Sequence, residues 1–484
     1  MRVVILGAGI SGHTAALLLR KKLSRAHEVV VVTPNSQWNW IPSNIWVGIG
    51  TMAPRQVTFP LAPVYAKQGI TLHQAKATEL HPEGDDAHAR PYVVAEGTGE
   101  ANRGQRIELD YDYLINATGP RLDFGATPGL GPDQGHSASV CTASHAAHAA
   151  GQLDALVEQM KQGQQKTFVV GMGHGTCTCE GAAFEYTFNL EFELRRRGVR
   201  ELARVIYLSN EAELGDFGVG GLQLEMGGYV TPSRVFTESL FVERGVEWIL
   251  GAHVERVEPG RVRYETLDGQ HHQLAFDFAM LLPPFTGVPL QAFDRAGANI
   301  TAQLFSPKGF MLVDADYRAK TPSEWRPEDW PERYQSPRYK NVFAIGIAFA
   351  PPHAISTPLK TPNGTLIAPA PPRTGMPSAI MGRAVAQSIV DLIEGAPEAT
   401  HGASMARLGA ACVASAGANA LSGTAAAMTM FPIVPDYEKY PGAGRDLTHT
   451  TGEIGLAGHW IKQLLHHAFL YKAKAKPLWW MIPE

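Results

Sequence analysis

Met1-Arg-Val-Val-Ile-Leu-Gly7-Ala-Gly9-Ile10-Ser11-Gly12-His-Thr-Ala-Ala-Leu-Leu-Leu-Arg20 opens the chain and decides its fold. A β-branched strand breaks into G-x-G-x-x-G, and an Ala/Leu-rich helix follows at once. That order, strand then glycines then helix, separates a dinucleotide-binding fingerprint from a chance glycine triplet. Gly7 permits the tight turn, Gly9 lets backbone approach a pyrophosphate, and Gly12 packs helix on strand. The free N–H groups of the helix start, beside Ile10 and Ser11, then face the phosphates with the positive end of the dipole. The segment therefore predicts a nucleotide cofactor.

At 484 residues the chain is too long for one core, so two or three domains are expected. Apolar residues make up 45% and charged residues 18%, the balance of a globular protein. A net charge of −4 gives no electrostatic reason for nucleic-acid binding. A buried strand that begins at residue 2 leaves no room for a signal peptide. The uncharged stretch from Leu408 to Pro435 is rich in Ala, Gly, Ser and Thr. It is too weakly apolar to span a bilayer and reads as small-residue core strands or helices. Four cysteines in so long a chain do not form a disulfide framework, and no metal-ligating set stands out.

A second turn, Lys166-Thr-Phe-Val-Val-Gly171-Met-Gly173-His-Gly175, precedes a helix that runs to Arg197, although its third glycine is displaced. Between the two turns lies Leu109-Asp-Tyr-Asp-Tyr-Leu-Ile-Asn-Ala117-Thr118-Gly119-Pro120, and later comes Lys340-Asn-Val-Phe-Ala-Ile-Gly346-Ile347-Ala. Together these four markers resemble the two-dinucleotide-fold flavoprotein disulfide reductases. The resemblance implies an α/β fold with two tandem Rossmann-like domains. An FAD domain is expected over 1–135 and 300–395, a second domain over 150–295, and a C-terminal segment over 400–484. The second strand ends at Thr33, where such folds often place an acid on the ribose, so Thr33 is read as a substituted ribose contact or a loop residue.

The region after the first fingerprint lacks the C-x4-C pair of glutathione-type reductases. Instead the cysteines are Cys141, Cys177, Cys179 and Cys412. Their settings are Ser139-Val-Cys141-Thr-Ala-Ser-His145, Cys179-Glu180-Gly-Ala-Ala-Phe-Glu185-Tyr186 and Ala410-Ala-Cys412. Alongside them stand Trp40-Ile-Pro42-Ser43-Asn44-Ile-Trp46-Val-Gly48, Met280-Leu-Leu-Pro283 and Arg373-Thr374-Gly375. With these blocks the chain resembles the sulfide:quinone oxidoreductases over nearly its whole length. The resemblance implies FAD, hydrogen sulfide and a quinone, with Cys179 and Cys412 holding a sulfur chain that passes two electrons to FAD. Cys141 matches a cysteine that some members use to attach FAD covalently. Cofactor contacts are implied at Gly7, Gly9, Ile10, Ser11, Gly12, Thr33, Pro42, Ser43, Asn44, Ala117, Thr118, Gly119, Gly346, Ile347, Thr374 and Gly375. Thiol exchange runs through thiolates, so both sulfur-carrying cysteines are expected in polar, accessible surroundings. His145 and Glu180 or Glu185 are candidates for moving protons. Cys177 has no counterpart, and Asp216 stands where the family usually has a histidine. No acid follows the strand Arg204–Leu208 and His174 crowds the second turn, so the second fold is not expected to bind a nicotinamide nucleotide.

Residues 316–338 and 351–372 read as enlarged surface loops. From Gly455 to Pro483 the chain reads as one helix and an aromatic tail. Trp460, Leu464, Ala468 and Tyr471 recur at helical spacing, with Lys462, His466 and His467 off that stripe and lysines at the helix end. Exposed aromatic and basic residues suit a helix lying in the headgroup region. A peripheral protein of the cell membrane is expected, on a side the sequence leaves open, and a homo-oligomer. Three alternatives stay open: a flavocytochrome c-type sulfide dehydrogenase flavoprotein, a type II NADH:quinone dehydrogenase, and a non-catalytic flavin redox sensor.

Overall fold

The computed structural model describes the chain except residues 179, 373, 374 and 420, and describes the backbone alone at 418 and 419. Cys179 and Thr374 therefore lie outside the described residues. The first sheet runs in the order Val342–Ala344, Tyr113–Asn116, Arg2–Leu6, Glu28–Thr33, Thr71–His81, Tyr92–Gly97, Arg106–Asp110. Its first five strands are parallel and the last two antiparallel. Val3 to Leu6 and Val29 to Val32 are buried on both faces, which is why both strands read as unbroken apolar runs rather than alternating ones. The helix Ile10–Lys22 crosses one face, and Gly375–Ile393 lies against it so closely that a Cβ on Gly382 would stand 2.4 Å from the Ser11 carbonyl oxygen.

A second parallel sheet has the order Val246–Ile249, Ala203–Leu208, Lys166–Met172, Phe278–Leu282. Beside it the antiparallel strands Ala252–Glu258, Arg261–Thr266 and His271–Ala275 share a smaller apolar core of their own. The small-residue stretch forms strands: Ala410–Asn419 and Ser422–Met430 make a hairpin, and Gly452–Gly455 adds a third strand. This sheet packs between the helix Glu180–Arg196 and the C-terminal helix Leu456–Ala473. Small side chains make that possible, since a Cβ on Gly458 would already stand 3.0 Å from Ala425 Cβ.

Three surface segments are anchored to the body. Residues 351–372 do not form a free loop: Leu359–Lys360 pairs with Leu366–Ile367, and the Ala368 and Ala370 amides donate to the Gly175 and Cys177 carbonyls at 2.8 and 2.9 Å. Residues 316–338 are pinned by Lys320, which bridges Asp316 and Asp329, and by the buried Trp330. The tail folds back on the body. Trp479 is buried, Lys472 pairs with Glu484 at 2.7 Å, and Lys21 sits 3.5 Å over the Trp480 ring.

Candidate active site

The first glycine turn forms a cradle with no side chain in it. Gly7 has φ +98°, and a Cβ there would stand 2.2 Å from the Ala117 carbonyl oxygen. Its amide donates to the Val32 carbonyl at 2.7 Å, locking the turn to the second strand. A Cβ on Gly12 would meet the Gly7 carbonyl oxygen at 2.2 Å, whereas around Gly9 nothing lies within 4 Å. Gly9 caps the helix without any side-chain cap, and the first turn holds no acid. Its N–H groups thus keep their electrostatic demand for an anion, and a cofactor pyrophosphate fits the opening.

The other predicted cofactor residues gather around this cradle. The Ala117 amide donates to the Leu6 carbonyl at 2.8 Å, and Thr118 donates its hydroxyl to Asn116 Oδ1 at 2.8 Å. Gly346, at φ +65°, brings Ser11 to within 2.5 Å of where its Cβ would be, which only glycine tolerates. Gly119 and Ile347 continue the two loops. Gly375 faces Ile10, Pro42 and Trp40, with distances of 3.2, 3.9 and 3.9 Å from a Cβ placed on it. Thr33 is buried, and its hydroxyl oxygen accepts from the Asn35 amide at 3.4 Å.

Pro42, Ser43 and Asn44 join this end of the molecule to the cysteine segments. The Asn44 side chain donates to the Val140 carbonyl at 3.1 Å, one residue before Cys141. Ser43 Oγ pairs with His466 Nδ1 at 2.9 Å, tying the block to the C-terminal helix. Phe469, from the same helix, stacks on Trp40 at 4.7 Å. Burial pushes the half-buried Cys141 thiol up to about 11, against the Ser139 hydrogen bond. His145 lies half-buried on the helix Ala143–Lys161, edge-on to Phe124 and 3.7 Å from Asp133, and burial lowers its pKa.

Cys412 lies on the first strand of the small-residue hairpin, and its Sγ stands 2.9 Å from where a Cβ on Gly181 would be. This places the sulfur against Gly181, two residues past position 179, in the first turn of the helix that begins at Glu180. Cys412 is partly exposed and lies beside charged groups, yet its thiolate is not favoured. Burial pushes its thiol up to about 12, the Glu185 carboxylate adds to that, and Lys462 opposes it. Such a setting favours uncharged sulfur, as a thiol or a sulfur–sulfur bond, over a standing thiolate.

Glu185 and Lys462 form a buried pair beside that cysteine. Lys462 Nζ lies 2.6 Å from both Glu185 oxygens and 3.2 Å from the Val413 carbonyl oxygen. The Ser415 amide donates to Glu185 at 3.3 Å, and the Ser415 hydroxyl pairs with His459 Nδ1 at 2.7 Å. Trp46 Nε1 donates to the Ser415 carbonyl at 2.9 Å, and the ring meets His459 and His466 edge-on. Lys462, Ser415, His459 and His466 were not singled out as site residues. The available signal was Lys462 itself, a cation on the inward face of a helix whose outward stripe is apolar, where a carboxylate partner is required. Cys177 is buried, its thiol donating to the Leu282 carbonyl at 3.1 Å.

Two parallel dinucleotide sheets, a glycine cradle and a cysteine held at the start of a helix define an oxidoreductase of the two-dinucleotide-fold class. Within that class the chain resembles the sulfide:quinone oxidoreductases. It is 28% identical over 472 residues to the sulfide-quinone reductase of Aquifex aeolicus, a match covering 98% of this chain and 91% of that protein. The crystal structure of the Aquifex aeolicus sulfide:quinone oxidoreductase superposes with a TM-score of 0.74 at 27% identity, covering 98% of this chain and 91% of that one. A mitochondrial external alternative NAD(P)H-ubiquinone oxidoreductase of Arabidopsis thaliana is 27% identical, but over 27% of this chain and 21% of its own. No family model matches the chain.

Proposed function

We propose that the chain is an FAD-dependent sulfide:quinone oxidoreductase in which Cys179 and Cys412 carry the sulfur. The observation that carries this reading is the Cys412 sulfur seated against Gly181, at the start of the helix that Cys179 immediately precedes. Hydrosulfide attacks a sulfur–sulfur bond between the two cysteines, so that one S–S bond forms as another breaks and a persulfide and a thiolate result. Overall, hydrosulfide becomes zero-valent sulfur, one proton and two electrons, and the quinone takes up two electrons and two protons. Gly7, Gly9 and Gly12 would hold the FAD pyrophosphate, and the flavin would supply the two-electron carrier between sulfur and quinone. The desolvation of Cys412 suits a neutral sulfur chain, while the Lys462 ammonium offsets thiolate charge as the bond opens. Glu185 and Lys462, with the Ser43–His466 pair, hold exchangeable protons on the side closed by the C-terminal helix.

Anaerobic titration of the purified protein with sulfide tests this, followed by a short-chain quinone. Bleaching of the flavin band by sulfide and its return on adding quinone are expected. Bleaching by NADH with none by sulfide would reject the reading.

The outward stripe of the C-terminal helix supports membrane association. Trp460, Ile461 and Leu464 are 50, 47 and 69% exposed, and Leu421 at the hairpin tip is 90% exposed. Among the described residues, no helix is long and apolar enough to cross a membrane. The lysines at the helix end contribute less than the sequence implies, because Lys472 is committed to Glu484 and Lys474 and Lys476 lie over Phe59 and Tyr471. The double variant Leu421→Asp/Leu464→Asp is expected to lower partition into phosphatidylcholine vesicles at least about tenfold, since each change removes an exposed apolar group and adds a charge. Unchanged flotation with vesicles would show that this face is not the one that meets lipid.

A further inference from the structure

At the helix start two fully buried carboxyls and a third partly buried one gather in one polar chamber around Tyr207, whose hydroxyl lies 3.4 Å from the Glu180 carbonyl oxygen and 2.9 Å from Glu211. Glu180 and Glu211 are fully buried, and Asp216 is partly exposed. Glu211 is fully served by donors: the Tyr207 hydroxyl at 2.9 Å, the Ser209 hydroxyl at 2.6 Å and the Phe217 amide at 2.8 Å. Glu180 is not, as neither of its oxygens has a hydrogen-bond donor among the described residues. Nearby, the Asn210 amide nitrogen is committed to the Gly175 and Cys177 carbonyls at 3.3 Å, which leaves buried Asn210 Oδ1 without a donor too.

Three buried acceptors that lack donors, two of them on one carboxyl, mark a chamber short of a proton. An ionised Glu180 would face the full cost of a desolvated, unpaired charge, whereas a protonated one supplies the missing donor. The donors around Glu211 make it the member able to carry charge. Burial, then the Glu211 charge, hold the Glu180 carboxyl well above its ordinary range, while its own amide and Asn210 pull the other way without bonding its oxygens. Burial raises Glu211 to about 7 against its three donors, with Asp216 adding to the rise. The other groups facing the chamber are Tyr207 and Cys177, both neutral there, and Arg445, which acts on Asp216.

We propose that Glu180 is a neutral carboxyl that relays to Glu211 the proton hydrosulfide loses on the sulfur side. The proton count is closed: one proton leaves hydrosulfide per sulfur oxidised, Glu180 hands its own proton to the Glu211 carboxylate, and it is reprotonated from the sulfur side. Release runs through Asp216, which accepts from Ser356 at the edge of the chamber. Glu180 acts one residue from Cys179 in the chain and is a positioning and proton-holding residue. The proposal rests on the sulfide reading above.

The test uses the FAD-loaded full-length protein and the variants Glu180→Gln and Glu211→Gln. Infrared spectra of the wild type at pH 8 should show a protonated-carboxyl C=O band that shifts in D2O and is lost in Glu180→Gln. Stopped-flow reduction by sulfide, normalised to hydrosulfide, should rise with pH through about 7 in the wild type, because the acceptor must be a carboxylate. In Glu180→Gln it should fall about 10²-fold and lose that limb, with reoxidation by quinone unchanged. Glu211→Gln, which keeps a neutral Glu180 but no acceptor, should show the same loss of the limb. Wild-type rates and pH profile in Glu180→Gln, or a band that survives the substitution, would overturn the relay while leaving the sulfide reading intact. A wild type that sulfide does not bleach would overturn both.

Discussion

Replacing Cys412 with serine is expected to slow reduction of the bound flavin by sulfide at least about 10³-fold, because a hydroxyl cannot close a sulfur–sulfur bond. The change is nearly isosteric and should leave FAD content and thermal midpoint close to those of the wild type. Gly181→Ala offers an independent check with every cysteine retained. The added methyl would stand 2.9 Å from Cys412 Sγ, closer than a carbon–sulfur contact allows, so the sulfur must shift. A shift of this kind should lower the reduction rate strongly without changing the chemistry available. Wild-type bleaching by sulfide in Cys412→Ser would show that Cys412 does not carry the sulfur.

Lys462→Met is expected to cost on the order of 3 kcal/mol of stability and to slow reoxidation by quinone at least about tenfold, as it strands the Glu185 carboxylate in the interior. Lys462 and Glu185 side chains are 11% and 8% exposed, so little water is available to take the place of the lost partner. Pairing the change with Glu185→Gln removes the stranded charge. The double variant should recover most of the stability while remaining slow with quinone, a pattern that a purely structural ion pair would not produce. Thermal denaturation and single-turnover reoxidation separate the two effects. Full recovery of the reoxidation rate in the double variant would assign the pair to folding alone.

What could be read from the chain depended on how local the signal was. The first glycine turn is legible because strand, turn and helix are consecutive and each glycine answers a steric demand, such as the 2.2 Å approach between Gly12 and the Gly7 carbonyl. Strand pairing in 410–430 was not, since a run of Ala, Gly, Ser and Thr carries neither helical nor alternating apolar periodicity. Its secondary structure is decided by the two helices that clamp it. Lys462 and Glu185 lie 277 residues apart, and no spacing rule connects residues at such a distance. Glu211 was hidden for a related reason, because Glu180, the carboxyl on which its charge acts, comes from another element. The C-terminal helix was half legible. The outward stripe of Trp460, Leu464 and Tyr471 emerged from periodicity, but the burial of Trp479 and the capture of Lys472 by Glu484 depend on the tail turning back.

The second glycine turn, sealed by the chain's own backbone at Gly175 and Cys177, has a consequence for bioenergetics. A Cβ on Gly175 would stand 2.8 Å from the Leu366 carbonyl oxygen, so backbone from 366–370 packs directly onto this turn. On the function proposed above, such a turn would leave sulfide as the one source of reducing power: in a respiratory chain the component would add inorganic electrons to the lipid-soluble carrier pool without opening a short circuit that drains the cell's hydride currency.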